Sequence, residues 1–240
     1  MRIAQTVREL LWKAGYDISH YNPTLHPLTR KIRLLKSCGI DLVLDVGANR
    51  GQFALQMRRV FGYAGRIVSF EPLSSAYKAL SVNAQGDANW KVMKCALGDK
   101  DGEMKINISA NSCSSSLLDI MPSHLDLAPS AKYTGTEVTE VRTLDSLMPT
   151  ISSGNENIYL KMDAQGYESK IMAGARVSLD RIGTIQLEMS LIPLYRGEAP
   201  FGEMYALLTE KGYSLVDISA TLADERTGQL LQVDGVFRRL

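Results

Sequence analysis

Residues 42–51, Leu-Val-Leu-Asp-Val-Gly-Ala-Asn-Arg-Gly, constrain the fold more than any other stretch of the chain. Their first five residues have the length and the side-chain branching of a buried parallel strand. Glycine then ends the strand, and the apolar residues that follow have near-helical spacing, so the stretch predicts a strand, a tight turn and a helix. Because glycine stands at both Gly47 and Gly51, we expect something to approach the backbone closely here. The free N–H groups and the dipole at the start of the helix favour a carboxylate or a phosphate.

The spacing of the glycines limits which ligand this turn can take. A dinucleotide fold requires G-x-G-x-x-G with the pyrophosphate on the turn. The pattern here is D-x-G-x-N-x-G, with Asp45 at its start and Asn49 in place of the second glycine. About 20 residues further on, an acidic residue is expected to bind a ribose, and Glu71 provides one at the end of a second short apolar strand. A turn without a phosphate cradle beside a ribose-binding carboxylate indicates an adenosine that carries an amino acid instead of a diphosphate.

Six short runs, taken in chain order, give the chain a family resemblance. They are LDVGANRGQFA, VSFEP, CALGD, SSSLL, TLDSL and LKMDAQGYE. Together they resemble the FkbM family of S-adenosylmethionine-dependent methyltransferases over residues 41–240, and within it the bacterial enzymes that O-methylate sugar hydroxyls. The resemblance implies a Rossmann-like class I methyltransferase. Such an enzyme would move a methyl group from S-adenosyl-L-methionine to a sugar hydroxyl of a glycolipid, polysaccharide or related glycoconjugate.

The resemblance also implies which residues bind the cofactor. The CALGD turn places Ala96 and Leu97 against the adenine ring and Asp99 close to its amino group, although Gly98-Asp99 is also an ordinary turn sequence. The serines of SSSLL line the cofactor or acceptor pocket, with Ser116 favoured over Ser115, although this polar run equally suits a flexible connector. The predicted cofactor-binding residues are Asp45, Gly47, Asn49, Gly51, Glu71, Ala96, Leu97, Asp99 and Ser116.

Three acid–base side chains are candidates for the catalytic step. Asp163 ends an apolar strand, and ligands of open α/β sheets bind outside the carboxyl ends of the strands, so we expect it to face the same cleft as the glycine turn. The alternative is a buried ion pair with Lys161 on the same strand face. A free imidazole titrates near neutral pH, which suits His124 as the base for a sugar hydroxyl; the alternative is a solvent-exposed loop histidine. Glu188, at the mouth of a further strand, is expected to bind an acceptor hydroxyl or to assist His124.

Strands and helices alternate from residue 42 onward, which predicts a doubly wound, mainly parallel α/β sheet with helices on both faces. We expect seven strands, as the family resemblance implies, with an antiparallel C-terminal hairpin formed by residues 213–218 and 231–238. A third strand is predicted over residues 90–97, and an edge strand over residues 136–144. A chain of 240 residues with 45% hydrophobic content suits one such domain, here residues 40–240, behind a helical extension over residues 1–39.

The extension is predicted to contain an amphipathic helix. Apolar residues recur on one helical face, and Gly15 is placed to end the helix. The apolar positions are Ile3, Val7, Leu10, Leu11 and Ala14. This face is expected to pack on the core domain or on a second subunit. In the second case the protein would be an oligomer. The alternatives are a lid over the acceptor pocket and a surface-seeking helix in peripheral contact with a membrane-borne lipid substrate.

Composition limits the binding partners and the cellular compartment that we expect for this chain. With 27 Lys and Arg against 26 Asp and Glu, the overall charge gives no indication of a nucleic-acid partner. Three cysteines without C-x-x-C spacing fit reduced thiols in a cytoplasmic protein, and we expect neither a signal peptide nor a membrane span. Asp163, Glu188 and His124 have ligand chemistry for Mg²⁺, so metal assistance stays an open alternative, although the sequence has no dedicated metal-ligand spacing.

Other functions are compatible with parts of this pattern. A methyltransferase of a polyketide or other small-molecule hydroxyl or amine shares every cofactor motif. A nicotinamide-dependent oxidoreductase shares the strand–turn–helix opening, although the missing G-x-G-x-x-G argues against it. A non-catalytic nucleoside-binding module shares the glycines and Glu71. For the methyltransferase we expect a direct in-line displacement, in which orientation contributes roughly 7–11 kcal/mol and a base contributes about 10²–10⁴-fold.

Overall fold

Ten strands, eight α-helices and two short 3₁₀ helices (Pro129–Ala131 and Ser178–Arg181) lie in the described part of the chain, residues 2–18 and 20–239 of a computed structural model. The strands are β1 (Leu42–Val46), β2 (Arg66–Phe70), β3 (Trp90–Met93), β4 (Ala96–Leu97), β5 (Gly102–Ser109), β6 (Tyr133–Arg142), β7 (Ile158–Met162), β8 (Ile182–Ser190), β9 (Tyr213–Ala223) and β10 (Leu230–Arg239). The helices are α1 (Arg2–Lys13), α2 (Pro27–Ser37), α3 (Gln52–Arg59), α4 (Ser74–Ala84), α5 (Pro122–Leu127), α6 (Leu144–Ile151), α7 (Glu168–Ala173) and α8 (Phe201–Glu210). The chain divides into two units, Met1–Leu34 and Leu35–Leu240.

Seven strands form the main sheet, in the order β3-β2-β1-β7-β8-β10-β9. The first five strands in this order are parallel, and β10 runs antiparallel to both β8 and β9. The order reverses between β1 and β7, because the chain adds β2 and β3 on one side of β1 and later adds β7 and β8 on the other. Right-handed crossovers therefore place the connecting helices on opposite faces. The predicted doubly wound, seven-stranded sheet with an antiparallel C-terminal hairpin is confirmed.

The central strands position the site. Every residue of β1 and β7 is buried, as is expected of parallel strands covered by helices on both faces. Apolar side chains of these strands form one continuous cluster with side chains of α6, α7 and β8. The register pairs Val46 with Met162, so the residues that follow them, Gly47 and Asp163, lie side by side. This is the switch point of the sheet, where open α/β folds bind their ligands.

A second, three-stranded sheet of order β4-β6-β5 departs from the sequence prediction. The single strand predicted over residues 90–97 is wrong: β3 belongs to the main sheet and β4 to the small one. The break occurs because β3 pairs with β2 only as far as Met93, which lies opposite the last residue of β2, Phe70. The edge strand predicted over residues 136–144 is also wrong, because β6 lies between β4 and β5. Its alternating pattern reflects one covered face, which a central antiparallel strand has as well.

The unit Met1–Leu34 contains α1 and the first part of α2. As predicted, the helix ends just before Gly15, which adopts a left-handed conformation with φ of 81°. The predicted apolar position Ile3 lies outside the described side chains, whereas Val7 and Leu10 are exposed. Of the helices in the described part of the chain, none is long and apolar enough to cross a lipid bilayer.

Candidate active site

The glycine turn after β1 is shaped by contacts within the protein. The N–H group of Gly47 donates to the carbonyl oxygen of Phe70 over 3.1 Å, which ties the turn to the end of β2. Gly47 has φ of 71°, and a Cβ atom there would lie 1.8 Å from the carbonyl oxygen of Asp163. Gly51 has φ of 88°, and its Cβ atom would lie 2.8 Å from the ring of Trp90. The close approach expected at the two glycines is therefore made by the protein itself, by the backbone after β7 and by a tryptophan ring.

Glu71 lies beside this turn with both carboxylate oxygens engaged. Its Oε2 accepts from the N–H of Asn49 at 2.7 Å, and its Oε1 accepts from the N–H of Leu73 at 2.9 Å. Glu71 is only 4% exposed, and this burial raises its pKa to about 7, although the two N–H groups favour the charged form. Each carboxylate oxygen has a second lone pair. The residue expected to bind the ribose therefore has acceptor capacity left for hydroxyl donors.

Asn49 links the turn to the serine-rich loop and carries an unused acceptor. Its backbone is left-handed, with φ of 46°, and its Nδ2 donates to the sulfur of Cys113 at 3.2 Å. Its Oδ1 is buried and has no hydrogen-bond partner among the described residues. An unpaired buried acceptor costs about 1–3 kcal/mol, so a ligand donor here would be favoured. Asn49 and Glu71 thus suit a ligand with N–H and O–H donors, as a nucleoside that carries an amino acid has.

A lysine joins two aspartates beneath the turn. Lys161 Nζ lies 3.3 Å from Asp45 Oδ1 and 3.6 Å from Asp163 Oδ2. Burial opposes the charge of Lys161, but the carboxylates of Asp163 and Asp45 outweigh it, so the pKa of Lys161 is raised. Asp45 has no exposed surface and also accepts from the hydroxyl of Ser69 at 3.2 Å. Asp45 is therefore closed off from solvent, whereas Asp163 combines the ion pair with a side chain that is 40% exposed.

Gln165 joins the two candidate catalytic carboxylates. Its Nε2 donates to Asp163 Oδ1 at 2.7 Å and to Glu188 Oε2 at 3.1 Å. Its Oε1 accepts from the hydroxyl of Tyr195 at 2.6 Å. Gln165 has φ of 53°, a conformation that costs a non-glycine residue about 1–2 kcal/mol and that is enriched at functional sites. Gln165 lies within the LKMDAQGYE run, but no periodic pattern in the sequence identifies it as part of the site.

Ser116 holds the backbone of Gln165. Its Oγ donates to the carbonyl oxygen of Gln165 at 2.7 Å and accepts from the N–H of Leu118 at 3.0 Å. The carbonyl oxygen of Ser114 also lies 3.3 Å from the hydroxyl oxygen of Tyr195. The serine-rich run is therefore packed into the site and is not a loose connector. The run also contacts the glycine turn, because the sulfur of Cys113 accepts from Asn49 Nδ2.

Glu188 is a partly buried carboxyl group whose pKa is raised. It lies near the carboxyl end of β8, and Gln232 Nε2 also donates to its Oε2, at 3.1 Å. Burial first, and then the nearby carboxylates of Asp163 and Glu168, raise the pKa of Glu188 to about 8. A carboxylate that titrates near neutral pH in a cleft is typical of acid–base catalysis.

His124 contacts the site through Tyr195. It lies in α5, is 4% exposed, and packs edge-on against the ring of Tyr195 with 5.2 Å between the ring centroids. The alternative of a solvent-exposed loop histidine is therefore wrong. Burial lowers the pKa of His124, and its Nδ1 has no hydrogen-bond partner in the described part of the chain. Its role as the base stays a prediction.

The residues predicted to contact adenine lie at the start of the small sheet. Ala96 and Leu97 form β4 and are buried, and Leu97 belongs to the main apolar core. Asp99 follows β4 and forms an ion pair with Lys170 of α7 at 3.3 Å. Asp99 therefore has a partner within the protein, and its contact with an adenine amino group stays a prediction.

The three side chains with Mg²⁺-ligand chemistry do not converge on a metal site. No group of three or more His, Cys, Asp or Glu residues is arranged to hold a metal ion within residues 2–18 and 20–239. Between Asp163 and Glu188 stands the Nε2 group of Gln165. This amide donates a hydrogen bond to each of the two carboxylates.

Residues 45–215 match the model of a family described as the methyltransferase FkbM domain. Among curated proteins, the chain is similar to the 2-O-methyltransferase NoeI of Sinorhizobium fredii, with 27% identity over 174 residues that cover 70% of each protein.

Two solved structures are similar to this chain at lower identity. One is the methyltransferase FkbM from Methylobacillus flagellatus KT, with 14% identity and a TM-score of 0.46 over 82% of this chain and 44% of that one. This chain therefore spans less than half the length of that protein. The other is a SAM-dependent methyltransferase from Aquifex aeolicus, with 12% identity and a TM-score of 0.42 over 92% of this chain and 100% of that one.

Proposed function

Since this chain belongs to the FkbM methyltransferase family, we propose that it is an S-adenosylmethionine-dependent O-methyltransferase. Its acceptor is a hydroxyl group of a sugar in a glycolipid, polysaccharide or related glycoconjugate. The observation that carries this proposal is the Gln165 amide, which holds Asp163 and Glu188 together at the switch point of the sheet. Carboxylates so placed accept the donors of a hydroxyl-rich ligand. Similarity to a protein named as a 2-O-methyltransferase supports oxygen as the methylated atom.

Glu71 and Asn49 would hold the cofactor. The oxygens of Glu71, fixed by two backbone N–H groups, would accept from the ribose hydroxyls. The unpartnered Oδ1 of Asn49 would accept from an ammonium or a hydroxyl group. When bound, S-adenosyl-L-methionine supplies an electrophilic methyl group and leaves as a neutral thioether. The tasks of the protein are therefore to bind, to orient and to accept a proton.

Glu188 is the base in this proposal. Its pKa of about 8 makes it a stronger base than an ordinary carboxylate, which increases the driving force for taking a proton from an acceptor hydroxyl. Asp163, fixed by Lys161 and Gln165, would orient the acceptor. In the described contacts, His124 reaches these groups through Tyr195 and Gln165, so its contribution would be to positioning.

We expect orientation of the reacting groups to lower the activation free energy more than the base does. Good alignment of reacting groups is worth roughly 7–11 kcal/mol, whereas a base that accelerates a reaction by about 10²–10⁴-fold is worth about 3–5 kcal/mol. Gln165 serves both purposes, because one amide fixes the position of the carboxylate that orients and of the carboxylate that accepts the proton.

Methyl transfer to a panel of mono- and oligosaccharides tests the proposal. The purified chain is incubated with S-adenosylmethionine that carries a labelled methyl group, and the products are analysed by mass spectrometry. We expect transfer to a sugar hydroxyl. In Glu188→Gln we expect the rate of transfer to fall about 10²–10⁴-fold, with unchanged cofactor binding. Transfer only to amines or to polyketide hydroxyls would contradict the sugar assignment. Absence of S-adenosylhomocysteine formation with every acceptor class would contradict the enzymatic assignment.

A further inference from the structure

Exposed apolar side chains are concentrated in the unit Met1–Leu34. Among the residues whose side chains are described, sixteen large apolar side chains are exposed, and eight of these fall in this unit. Seven of them are 50–68% exposed, and all of these except Trp12 are named here the N-terminal apolar surface: Val7, Leu10, Tyr16, Ile18, Tyr21 and Leu25. Single exposed apolar residues are ordinary, but a concentration of them is typical of an interaction site.

Trp12 is not part of this surface, because polar groups hold it elsewhere. Its Nε1 donates to Asp17 at 2.8 Å, and the guanidinium of Arg8 lies 5.0 Å from its ring centroid. Arg8 also forms an ion pair with Asp17 at 2.7 Å. Val7 and Leu10 are three residues apart and therefore share the other side of α1. The contacts of Trp12 thus order the turn after the helix and leave Val7 and Leu10 exposed.

The same unit is the basic part of the chain. Residues 1–34 contain six Lys and Arg against two Asp and Glu, a net charge of +4. The remaining residues contain 21 Lys and Arg (27 minus 6) against 24 Asp and Glu (26 minus 2), a net charge of −3. The overall charge of +1 hides this separation. A basic amphipathic segment with exposed aliphatic and tyrosine side chains has the composition of an interfacial membrane-binding element.

We propose that the N-terminal apolar surface binds an anionic lipid membrane. The apolar side chains would enter the boundary between headgroups and acyl chains, while Lys and Arg of the same unit lie near the lipid phosphates. A second copy of the chain is a poorer occupant, because it would bring together two units of +4 that repel each other. The contact is peripheral, since no helix among the described residues can cross a bilayer. The inference concerns this unit alone and does not depend on the proposed methyl transfer.

Sedimentation of the full chain with lipid vesicles tests the inference. Vesicles of phosphatidylcholine alone are compared with vesicles that also contain phosphatidylglycerol, at low and high salt. We expect binding to the anionic vesicles only, and weaker binding at high salt, because salt screens exposed charges. Leu10→Glu should reduce the bound fraction about tenfold, since it places a carboxylate among the apolar side chains. Lys13→Glu should also weaken binding, because it removes a cation and adds an anion.

Matched changes outside the unit serve as controls. Val177→Glu replaces an apolar residue that is 73% exposed, and Lys78→Glu reverses an exposed lysine on α4; both should bind vesicles as the wild type does. Circular dichroism melting of each variant checks that the fold is retained. Equal loss of binding in Leu10→Glu and Val177→Glu, or no binding to anionic vesicles, would overturn the proposal. A dimer in light scattering that Leu10→Glu dissociates, without vesicle binding by the wild type, would assign the surface to self-association instead.

Discussion

Gly47→Ala adds one methyl group at the point where the ends of β1 and β7 meet. A Cβ atom there lies 1.8 Å from the carbonyl oxygen of Asp163, and real Cβ contacts are essentially never shorter than 3.0 Å. The two backbones must therefore separate by at least 1.2 Å (3.0 minus 1.8). Such forced repacking costs about 1–3 kcal/mol, and alanine in the left-handed conformation costs about 1–2 kcal/mol more. We expect the free energy of unfolding to fall by about 2–5 kcal/mol.

Gly62→Ala is the matched control for this prediction. Gly62 has φ of 66°, and a Cβ atom there has nothing within 4 Å, so this variant carries the backbone strain without the clash. In a domain of this size, 1 kcal/mol shifts Tm by about 2–4 °C. Differential scanning calorimetry should therefore show Tm lower by about 4–20 °C in Gly47→Ala and by about 2–8 °C in Gly62→Ala. Equal Tm values in the two variants would refute the close approach between β1 and β7.

The bridging amide, the candidate base and the buried lysine give three more measurable outcomes. Gln165→Asn withdraws the amide by about 1.5 Å, so it no longer reaches both carboxylates. Turnover should fall about 30-fold, equivalent to about 2 kcal/mol. Calorimetry should show an unchanged affinity for the cofactor. Turnover of the wild type should rise with pH through about 8, because Glu188 must lose its proton to act as the base. This rise of turnover with pH should be absent in Glu188→Gln and present in His124→Phe. A rise that persists in Glu188→Gln and is absent in His124→Phe would make His124 the base. Lys161→Met leaves the Asp45 carboxylate buried and unpaired, at a cost of about 3–5 kcal/mol. Burial raises the pKa of Asp45 in the folded state, so protonation of Asp45 at low pH relieves this cost. Urea unfolding should therefore show that Lys161→Met lowers the free energy of unfolding more at pH 8 than at pH 5. Equal losses at the two pH values would contradict the buried ion pair.

The main sheet was predictable because its signals are local. The apolar runs of β1, β2 and β7 each end in a glycine or a carboxylate, and this short-range pattern indicates both a parallel strand and the edge at which it ends. The small sheet was not predictable in the same way. Its central strand, β6, pairs with β4 and β5, and alternation within β6 carries no information about how many neighbours it has.

The site was predictable residue by residue only where one residue acts alone. Gln165 was missed because its role is defined by partners 23 and 30 residues away, Glu188 and Tyr195, and no sequence period encodes that convergence. The sequence feature that could have identified Gln165 is its position, two residues after Asp163, the acidic residue that follows β7. The start of α4 shows the same limit, because the N–H of Ser74 donates to the carboxylate of Glu137, 63 residues further along the chain.

Calorimetric titration with S-adenosylmethionine and S-adenosylhomocysteine tests the central claim most directly. Glu71→Gln places an amide NH₂ against a backbone N–H, whereas Glu137→Gln changes a carboxylate that contacts the same helix start from β6, at 3.2 Å from the N–H of Ser74. The account predicts binding by the wild type and by Glu137→Gln, and at least about tenfold weaker binding by Glu71→Gln, equivalent to about 1.4 kcal/mol. No binding by the wild type, or equal weakening in both variants, would contradict a nucleoside site at Glu71.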